Sequence, residues 1–544
     1  MQIKKVIKGD EARSKLYQGM VTVADVVSAT AGPGGRTIGI QQSWGAPKVT
    51  KDGVTVAKSV SIQGAEGEGA KMLVQASEKT GRDAGDGTTA TCIFAKSIAE
   101  EGLKAISKGV KSTEIKKGID KAVKDIVSKL KSHSKKIETN EEIRQVATIS
   151  ANGDEEIGGF IADAIAKVGE RGVITVEEAR GLTTELEIVE GLQIDQGYLS
   201  PYFMTNPEKQ LVEFDNPLLF LYDGKITSLQ SILPMLETVS QSGRPLVIIA
   251  DEVENEPLTA LVVNHMKGIL KCCAVKAPSF GDIRRFIMED IAILTGGEFI
   301  TTQYGKKLEE LSGDCLGTCA KIKVTPTETI IINGAGDKDA LAERVDQLSQ
   351  EIENTESSYD KEKLRERLAK LTGGVAVIKV GGATEIEVKE KKDRVDDAAC
   401  ATRAALEEGV LPGGGISLIK IANSLSNESE LKTDDEKRGY DIVLKAVEAQ
   451  LKAIAENAGK SGEVIVEKVK ENEDFNFGYD ARRDTFCDLV KAGILDATKV
   501  VRCSIENGSS VAGSLLTVEG LIVDDMEENL KLMQMARQTP QMGM

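Results

Sequence analysis

Histidine is nearly missing: the 544 residues contain two, His133 and His265. The eight cysteines are scattered, and Cys315-x-x-x-Cys319 has no second pair beside it. A zinc centre is therefore poorly supplied, and reduced, mostly packed thiols are the expectation. Aromatic residues make up only 4%, with a single tryptophan, in a chain that is 41% hydrophobic; Ala, Val, Ile and Leu must build the core. No apolar stretch nears the roughly 20 residues that span a bilayer, so no membrane partner is expected. Basic excess is missing too. Lys and Arg number 69 against 86 Asp and Glu, a formal charge of −17, which argues against nucleic acid as a partner. The start, Met1-Gln2-Ile3-Lys4-Lys5-Val6, has neither the apolar region of a signal peptide nor an Arg/Ser-rich transit sequence. A cytoplasmic location fits, and so does the matrix of an organelle of bacterial descent for a chain whose leader has been removed.

What is present begins with Gly85-Asp86-Gly87-Thr88-Thr89, running into the helix-like Thr91-Cys92-Ile93-Phe94-Ala95. A phosphate needs backbone N–H groups that it can approach closely. Glycine permits this, and a helix start adds unpaired donors with partial positive charge. Asp86 is the puzzle, since a bare carboxylate repels phosphate. A bound Mg2+ resolves it, because that hard cation takes oxygens from one or two carboxylates and from the phosphates. The segment reads as a nucleotide–metal site, although Asp-Gly is also a common turn dipeptide. Two more glycine-rich stretches are Thr30-Ala31-Gly32-Pro33-Gly34-Gly35-Arg36, after the apolar-periodic Val21–Val27, and Gly413-Gly414-Gly415, after the helix-like Ala398–Glu408. Neither matches a P-loop or a Rossmann fingerprint. Lys51-Asp52-Gly53-Val54 adds a lysine and a second carboxylate. Taken singly, each of these three reads more readily as a loop than as a site.

The length calls for about two to four domains. Helical periodicity runs through Lys71–Gly81, Thr91–Gly102, Thr113–Leu130, Glu436–Glu456 and Thr485–Ala492. Strand-like runs stand at Leu218–Leu221, Leu246–Ile249, Thr329–Ile332 and Val375–Val380. Leu341, Val345, Leu348 and Ile352 share one helix face, continued by Tyr359, Leu364 and Leu368 after a polar break. That run is too short for a sustained coiled coil, so it reads as core packing of a helical pair.

Taken in order, these segments resemble the group I chaperonins, the GroEL type of bacteria and of organelles of bacterial descent. The likeness spans about residues 15–525. Besides the glycine segments it is carried by Ser43–Val54, Ile149-Ser150-Ala151-Asn152, Gly172–Glu177, Gly197–Phe203, Val275–Asp282, Gly373–Gly381, Arg394–Ala398 and Gly493–Asp496. It implies a multi-domain α and α/β fold. A mostly helical equatorial domain (1–133 and 408–544) and a small α/β intermediate domain (134–189 and 376–407) are each built from two passes of the chain. An α/β apical domain occupies 190–375. Gly191 and Gly374 become hinge candidates.

The resemblance also assigns roles. Thr30, Gly32 and Pro33 would lie against ATP, with Gly32 and Lys51 near its phosphates. Gly87, Thr88 and Thr89 would bind phosphate oxygens and Asp86 would hold Mg2+; K+ is a further expected ion. Gly414 and Asp496 would contact the nucleoside, and Asp480, Ala481 and Arg482 would sit near the base. Asp52 and Asp397 would orient the attacking water. By local pattern alone Asp397 is a solvated helix carboxylate, and only motif register separates it from Asp396. Tyr198, Tyr202, Phe203, Leu233, Leu236, Leu258, Val262 and Val263 match an exposed apical groove for unfolded polypeptide and for a ten-kilodalton co-chaperonin, rimmed by Glu237, Asn264 and Lys267. Without the resemblance, such stripes read as core. The implied assembly is a seven-membered ring of identical chains, two rings stacked back to back.

Four departures from the family pattern stand out. Gly34 replaces a usual lysine and is expected to leave its loop less charged and freer. Ala90 removes one hydroxyl after Thr88-Thr89. Gly459-Lys460-Ser461-Gly462 lacks the usual acidity of the inter-ring turn. The Gly/Met tail shrinks to Gln541-Met542-Gly543-Met544. Trp44 stands where the family has another aromatic, in a subunit-contact hairpin. A metabolic ATP-using enzyme would need an acid, base or nucleophile that nothing supplies, and an ATP-inactive scaffold would be expected to lose Asp52, Asp86 or Asp397, all of which are present.

Overall fold

The computed structural model describes residues 3–42, 47–151, 153–169, 172–179, 181–207, 209–301, 308, 313–355, 357–425 and 431–525. Asn152, Trp44 and the tail from Met526 lie outside the described residues, as does the side chain of Tyr359. The chain forms two compact units, residues 1–162 with 389–544 and residues 163–388. Residues expected for a separate middle domain are divided between them.

The first unit is a helical stack. Its centre is the set of helices Gly9–Ser28, Gly64–Ala84, Thr88–Ser107, Ser112–His133, Asp434–Ala446 and Thr498–Leu516. Each buries one apolar stripe. In Ser112–His133 it is Ile115, Ile119, Ala122, Ile126 and Leu130, at i, i+4, i+7, i+11 and i+15. Small residues let the axes approach: a Cβ on Gly19 would lie 1.7 Å from the Glu66 carbonyl oxygen, and one on Gly118 2.0 Å from that of Glu436. The periodicity of Glu436–Glu456 divides at Val447 into two helices, Asp434–Ala446 and Ala449–Asn457. The helix expected over Thr485–Ala492 does not form. Thr485–Asp488 is a strand that pairs antiparallel with Phe477–Asp480, Tyr479 opposite Phe486. The reversal is made by Asp484 at φ 54 and by the Asp480 carboxylate, which accepts from the Arg482 and Arg483 amides at 2.9 and 3.1 Å. Turn chemistry outweighs a short apolar periodicity here.

The second unit is α/β. Its eight-stranded sheet runs in the order Cys272–Lys276, Leu246–Val253, Leu218–Ile226, Gly317–Val324, Thr329–Gly334, Gly191–Ile194, with Phe299–Thr301 and Val212–Asp215 off that path. The first three strands are parallel, joined through helices Leu229–Ser242 and Asn255–Met266, and read as the continuous apolar runs that two-sided burial demands. A second sheet sets Val375–Val380 between Val173–Glu178 and Glu185–Val189. The predicted helical pair is present as Lys338–Asn354 and Ser358–Thr372, with Leu348 buried and Leu341, Val345, Leu364 and Leu368 packed on the core. Buried Asp290 locks the pair down, taking Arg344 Nε at 2.8 Å and a two-pronged contact from Arg367 at 2.9 Å. Gly374 has φ +63. Gly191 lies inside a strand, where a Cβ would meet Val375 Cγ2 at 2.4 Å, so in this state its small size serves close packing. Cys92, Cys272, Cys273, Cys315, Cys319 and Cys503 are buried and not disulfide-bonded.

Candidate functional site

Helices Gly64–Ala84 and Thr88–Ser107 are joined by three residues. Gly85 closes the first in the left-handed conformation, its N–H on the Gly81 carbonyl at 2.8 Å. Gly87, at φ +85, opens the second, and no side chain caps it. The first-turn N–H groups of Thr88, Thr89 and Ala90 thus face outward without helical partners. The Lys51-Asp52-Gly53 turn presses on this end: a Cβ at Gly53 would lie 2.4 Å from Thr89 Oγ1 and 2.9 Å from Thr88 Oγ1. Asp52 caps the helix Gly53–Ser59, accepting from the Val54 and Thr55 amides at 3.2 and 2.9 Å, so its carboxylate is fixed in direction. Thr30 follows the end of helix Gly9–Ser28, with its hydroxyl 2.8 Å from the Val27 carbonyl and 3.3 Å from Thr89 Oγ1.

The opposite wall is built from the C-terminal part of the chain. Val410–Pro412 pairs with Leu495–Ala497, Leu411 facing Asp496. The turn after that strand brings Gly414 in and lets the Gly415 N–H reach the Asp496 carboxylate. The Phe477–Asp488 hairpin presents Ala481 and Arg482. Asp480 itself is committed to the hairpin turn.

These parts surround a cleft of about 780 Å3. Thr30, Gly32, Pro33, Lys51, Asp52, Asp86, Thr88, Thr89, Asp397, Gly414, Asp480, Ala481, Arg482 and Asp496 all line it, and Gly87 lines a smaller adjoining hollow. Residues 466 positions apart in sequence are thereby brought to one place, 496 minus 30. Electrostatically the cleft is frustrated. Asp397 is held well above the ordinary carboxylate range by desolvation and by Asp52 and Asp86, with Asp396 and Asp393 adding to it. Desolvation and Asp52 raise Asp86 against the opposing Gly87 N–H. Desolvation and Asp86 push Asp496 up to about 7 against the Gly415 N–H. Lys51, Arg144, Arg482, Arg483 and Lys491 also line the cleft, but no basic side chain offsets the shifts of Asp86 or Asp496. No three His, Cys, Asp or Glu among the described residues converge to hold an ion unaided.

Residues 23–526 match the family model described as the TCP-1/cpn60 chaperonin family. The chain belongs to that family. Among solved structures it is similar to the chaperonin gp146 from the bacteriophage EL 2 (Pseudomonas aeruginosa), crystallised in the presence of ATP-BeFx. The TM-score is 0.68 at 22% identity, over 95% of this chain and 98% of that one. That likeness concerns the fold.

In the second unit, this chaperonin exposes part of the expected apolar groove. Tyr202 is 64% exposed, Leu233 43% and Val263 40%, while Tyr198, Leu258 and Val262 are half-buried. Two expectations are corrected. Phe203 is fully buried, with its ring 5.8 Å from that of His265, and Leu236 lies in the same core. On helix Leu229–Ser242 the residue three positions after exposed Leu233 turns inward beside Ile232 and Met235. Phe203 closes a one-turn 3-10 helix, Pro201–Phe203, whose rotation sends Tyr202 out and Phe203 in. Met266 and Ile269, exposed at 64% and 61%, extend the surface and escaped the sequence reading.

The departures also gain places. Gly34 is not in a freer loop: a Cβ there would come within 2.7 Å of the Asn457 carbonyl oxygen and 2.9 Å of the Ala458 nitrogen. Asn457 clamps this loop, its side-chain amide donating to the Ser28 and Ala31 carbonyls at 2.9 and 3.0 Å. Ala90 is buried in the helical core. Lys460 pairs with Asp484 at 2.5 Å. The cleft-lining Gln450 and Ile454 were not foreseen; their i, i+4 spacing on helix Ala449–Asn457 was the available signal.

Proposed function

We propose that this chaperonin is an ATPase of the GroEL type that captures non-native polypeptide and releases it for folding inside a ring of its own copies. The observation that carries the reading is the cleft itself: an uncapped helix start, hydroxyls and close-approach glycines face three carboxylates, Asp86, Asp397 and Asp496, that desolvation and neighbouring carboxylates push toward their neutral forms. ATP supplies the transferable phosphoryl group, and Mg2+, with K+ as a second ion, the positive charge. Thr88, Thr89 and Ala90 donate backbone N–H groups to phosphate oxygens. Asp86 holds the divalent ion. Gly32, Pro33 and Gly414 give close-approach surface to the nucleotide, with Lys51 over the phosphates, Asp496 at the ribose and Ala481 and Arg482 near the base. Asp52, fixed by its capping bonds, and Asp397, on the helix Glu385–Glu408, orient a water for in-line attack, a reaction in which positioning and charge neutralisation do most of the work.

Tyr202, Leu233, Val263, Met266 and Ile269 are the surface for unfolded chain and, in turn, for a ten-kilodalton co-chaperonin lid. An exposed apolar patch of this kind marks an interaction site. The assembly is a seven-membered ring, paired back to back, in the cytoplasm or in an organelle of bacterial descent. Phosphate release from Mg-ATP tests the core of this reading, with Asp397→Ala expected to bind ADP and lose turnover. Native mass spectrometry with and without Mg-ATP reads the ring. Absence of Mg2+-dependent hydrolysis in the parent protein would overturn the ATPase assignment and leave a peptide-binding scaffold.

A further inference from the structure

Behind the phosphate-facing turn lies a row of small polar side chains where three helices pack, and nothing in the proposed chemistry uses it. Ser77, Thr80 and Thr91 are fully buried, Ser504 is 1% exposed and Asn507 8%. The Asn507 side-chain amide donates to Thr80 Oγ1 at 2.9 Å. Thr91 Oγ1 donates to Thr80 Oγ1 at 2.9 Å or to the Gly87 carbonyl at 3.0 Å. Ser504 Oγ reaches the same Gly87 carbonyl at 3.0 Å, with the Val500 carbonyl as its alternative at 2.8 Å. The Thr91 backbone N–H also ends on Gly87 at 3.0 Å. One carbonyl, that of the residue which opens the phosphate-facing helix, is therefore the focus of three donors from two helices. Contact is close enough that a Cβ on Gly87 would sit 2.3 Å from Ser504 Oγ.

We infer that Ser504 and Asn507, with Thr91 and Thr80, are positioning residues of the nucleotide site, holding the Gly87 peptide so that the Thr88–Ala90 amides point into the cleft. Apolar residues would fill the helix interface as well, and they would avoid the cost of burying hydroxyls and an amide. What polar groups add is direction: a hydrogen bond fixes the rotation of the Gly87 carbonyl, which packing alone leaves loose. Because the Gly87 carbonyl and the Thr88 N–H belong to one planar peptide, orienting the first orients the second.

The inference rests on the nucleotide reading, and the test separates the two. ADP-Mg affinity is measured by calorimetry for the full chain, for Ser504→Ala, for Asn507→Leu and for Ser504→Ala combined with Thr91→Val. Hydrogen exchange at Thr91, whose backbone amide ends on the Gly87 carbonyl at 3.0 Å, is followed in parallel without nucleotide. Each single change is expected to weaken binding about two- to tenfold, and the pair by more than about tenfold, with faster exchange at the Thr91 amide. Ser504→Thr, which keeps the hydroxyl, should bind within about twofold of the parent. Equal affinity and equal exchange in Ser504→Ala and in the double variant, with the parent binding normally, would overturn the inference. So would a fall in thermal stability alone. If the double variant does not fold, Ser504→Ala, the removal of one oxygen, decides by the same two readouts. A parent protein that binds no adenine nucleotide would instead sink the reading of the cleft, while altered exchange at the Thr91 amide would still register the hydrogen-bond row.

Discussion

Gly34→Ala is a one-carbon change whose outcome differs sharply between a loose loop and a clamped one. The backbone at Gly34 is not in the left-handed region, so alanine meets no conformational penalty there and the effect is steric. The new Cβ would be placed 2.7, 2.8 and 2.9 Å from three backbone atoms of Asn457 and Ala458, and backbone cannot rotate away as a side-chain tip can. Something must shift. Overpacking of this sort costs about 1–3 kcal/mol. If the loop moves off, the two Asn457 hydrogen bonds are stretched as well, each worth about 0.5–1.5 kcal/mol. Because Gly32 and Pro33 line the cleft, about 1.4–3 kcal/mol of displacement would appear as a loss of about ten- to 150-fold in nucleotide affinity. Two measurements are needed. Hydrogen exchange at Gly35 and Arg36, whose amides bond to the Gly32 and Ala29 carbonyls at 3.0 and 2.8 Å, should quicken in the variant whether or not nucleotide is the ligand. Calorimetry with ADP-Mg should show the weakened binding. Gly39→Ala, five residues on with nothing within 4 Å of its Cβ, is the control and should change neither. Parent-like exchange and affinity in Gly34→Ala would refute the clamp and restore the picture of a free loop.

Other expectations can be checked independently. Asp496 has a folded-state pKa of about 7 against about 3.9 unfolded, so its cost is absent below about pH 4, grows between the two values and is complete above pH 7; Asp496→Asn should raise the unfolding temperature at pH 8 and leave it unchanged at pH 4. His265 accepts the Cys272 N–H on Nδ1 at 3.1 Å, and burial lowers its pKa; stability of the second unit should therefore be full above about pH 6.5 and decline as pH falls, a slope that His265→Gln should flatten in denaturant titrations. Leu233→Ser or Tyr202→Ser should abolish suppression of aggregation of a denatured client without destabilising the chain, whereas Phe203→Ala should cost about 3–5 kcal/mol of stability, seen as a lowered denaturation midpoint; equal stability for the two kinds of variant would undo the division into surface and core.

How much of this was legible in the sequence depends on whether a local pattern or a distant partner decides each position. Ile115 to Leu130 repeat at helix spacing over about four turns, and Val375–Val380 is an apolar run broken only by Lys379; both elements form where the pattern puts them. Thr485–Ala492 has the same kind of signal over only two turns, and the carboxylate of Asp480, which tightens the turn, overrides it. The cleft follows the same logic. Its glycines and carboxylates stood in recognisable words, so all of them arrive at one cavity or its neighbour. What the words did not disclose was contact with residues hundreds of positions away: Asn457 against Gly34, Ser504 against Gly87, Asn507 against Thr80. Absence of a lysine at Gly34 reads locally as lost charge and added freedom. In the folded chain the missing side chain is the space that Asn457 and Ala458 occupy, so the same substitution tightens the loop. A glycine's meaning is set by what lies beside its absent Cβ, and that neighbour is chosen by the fold.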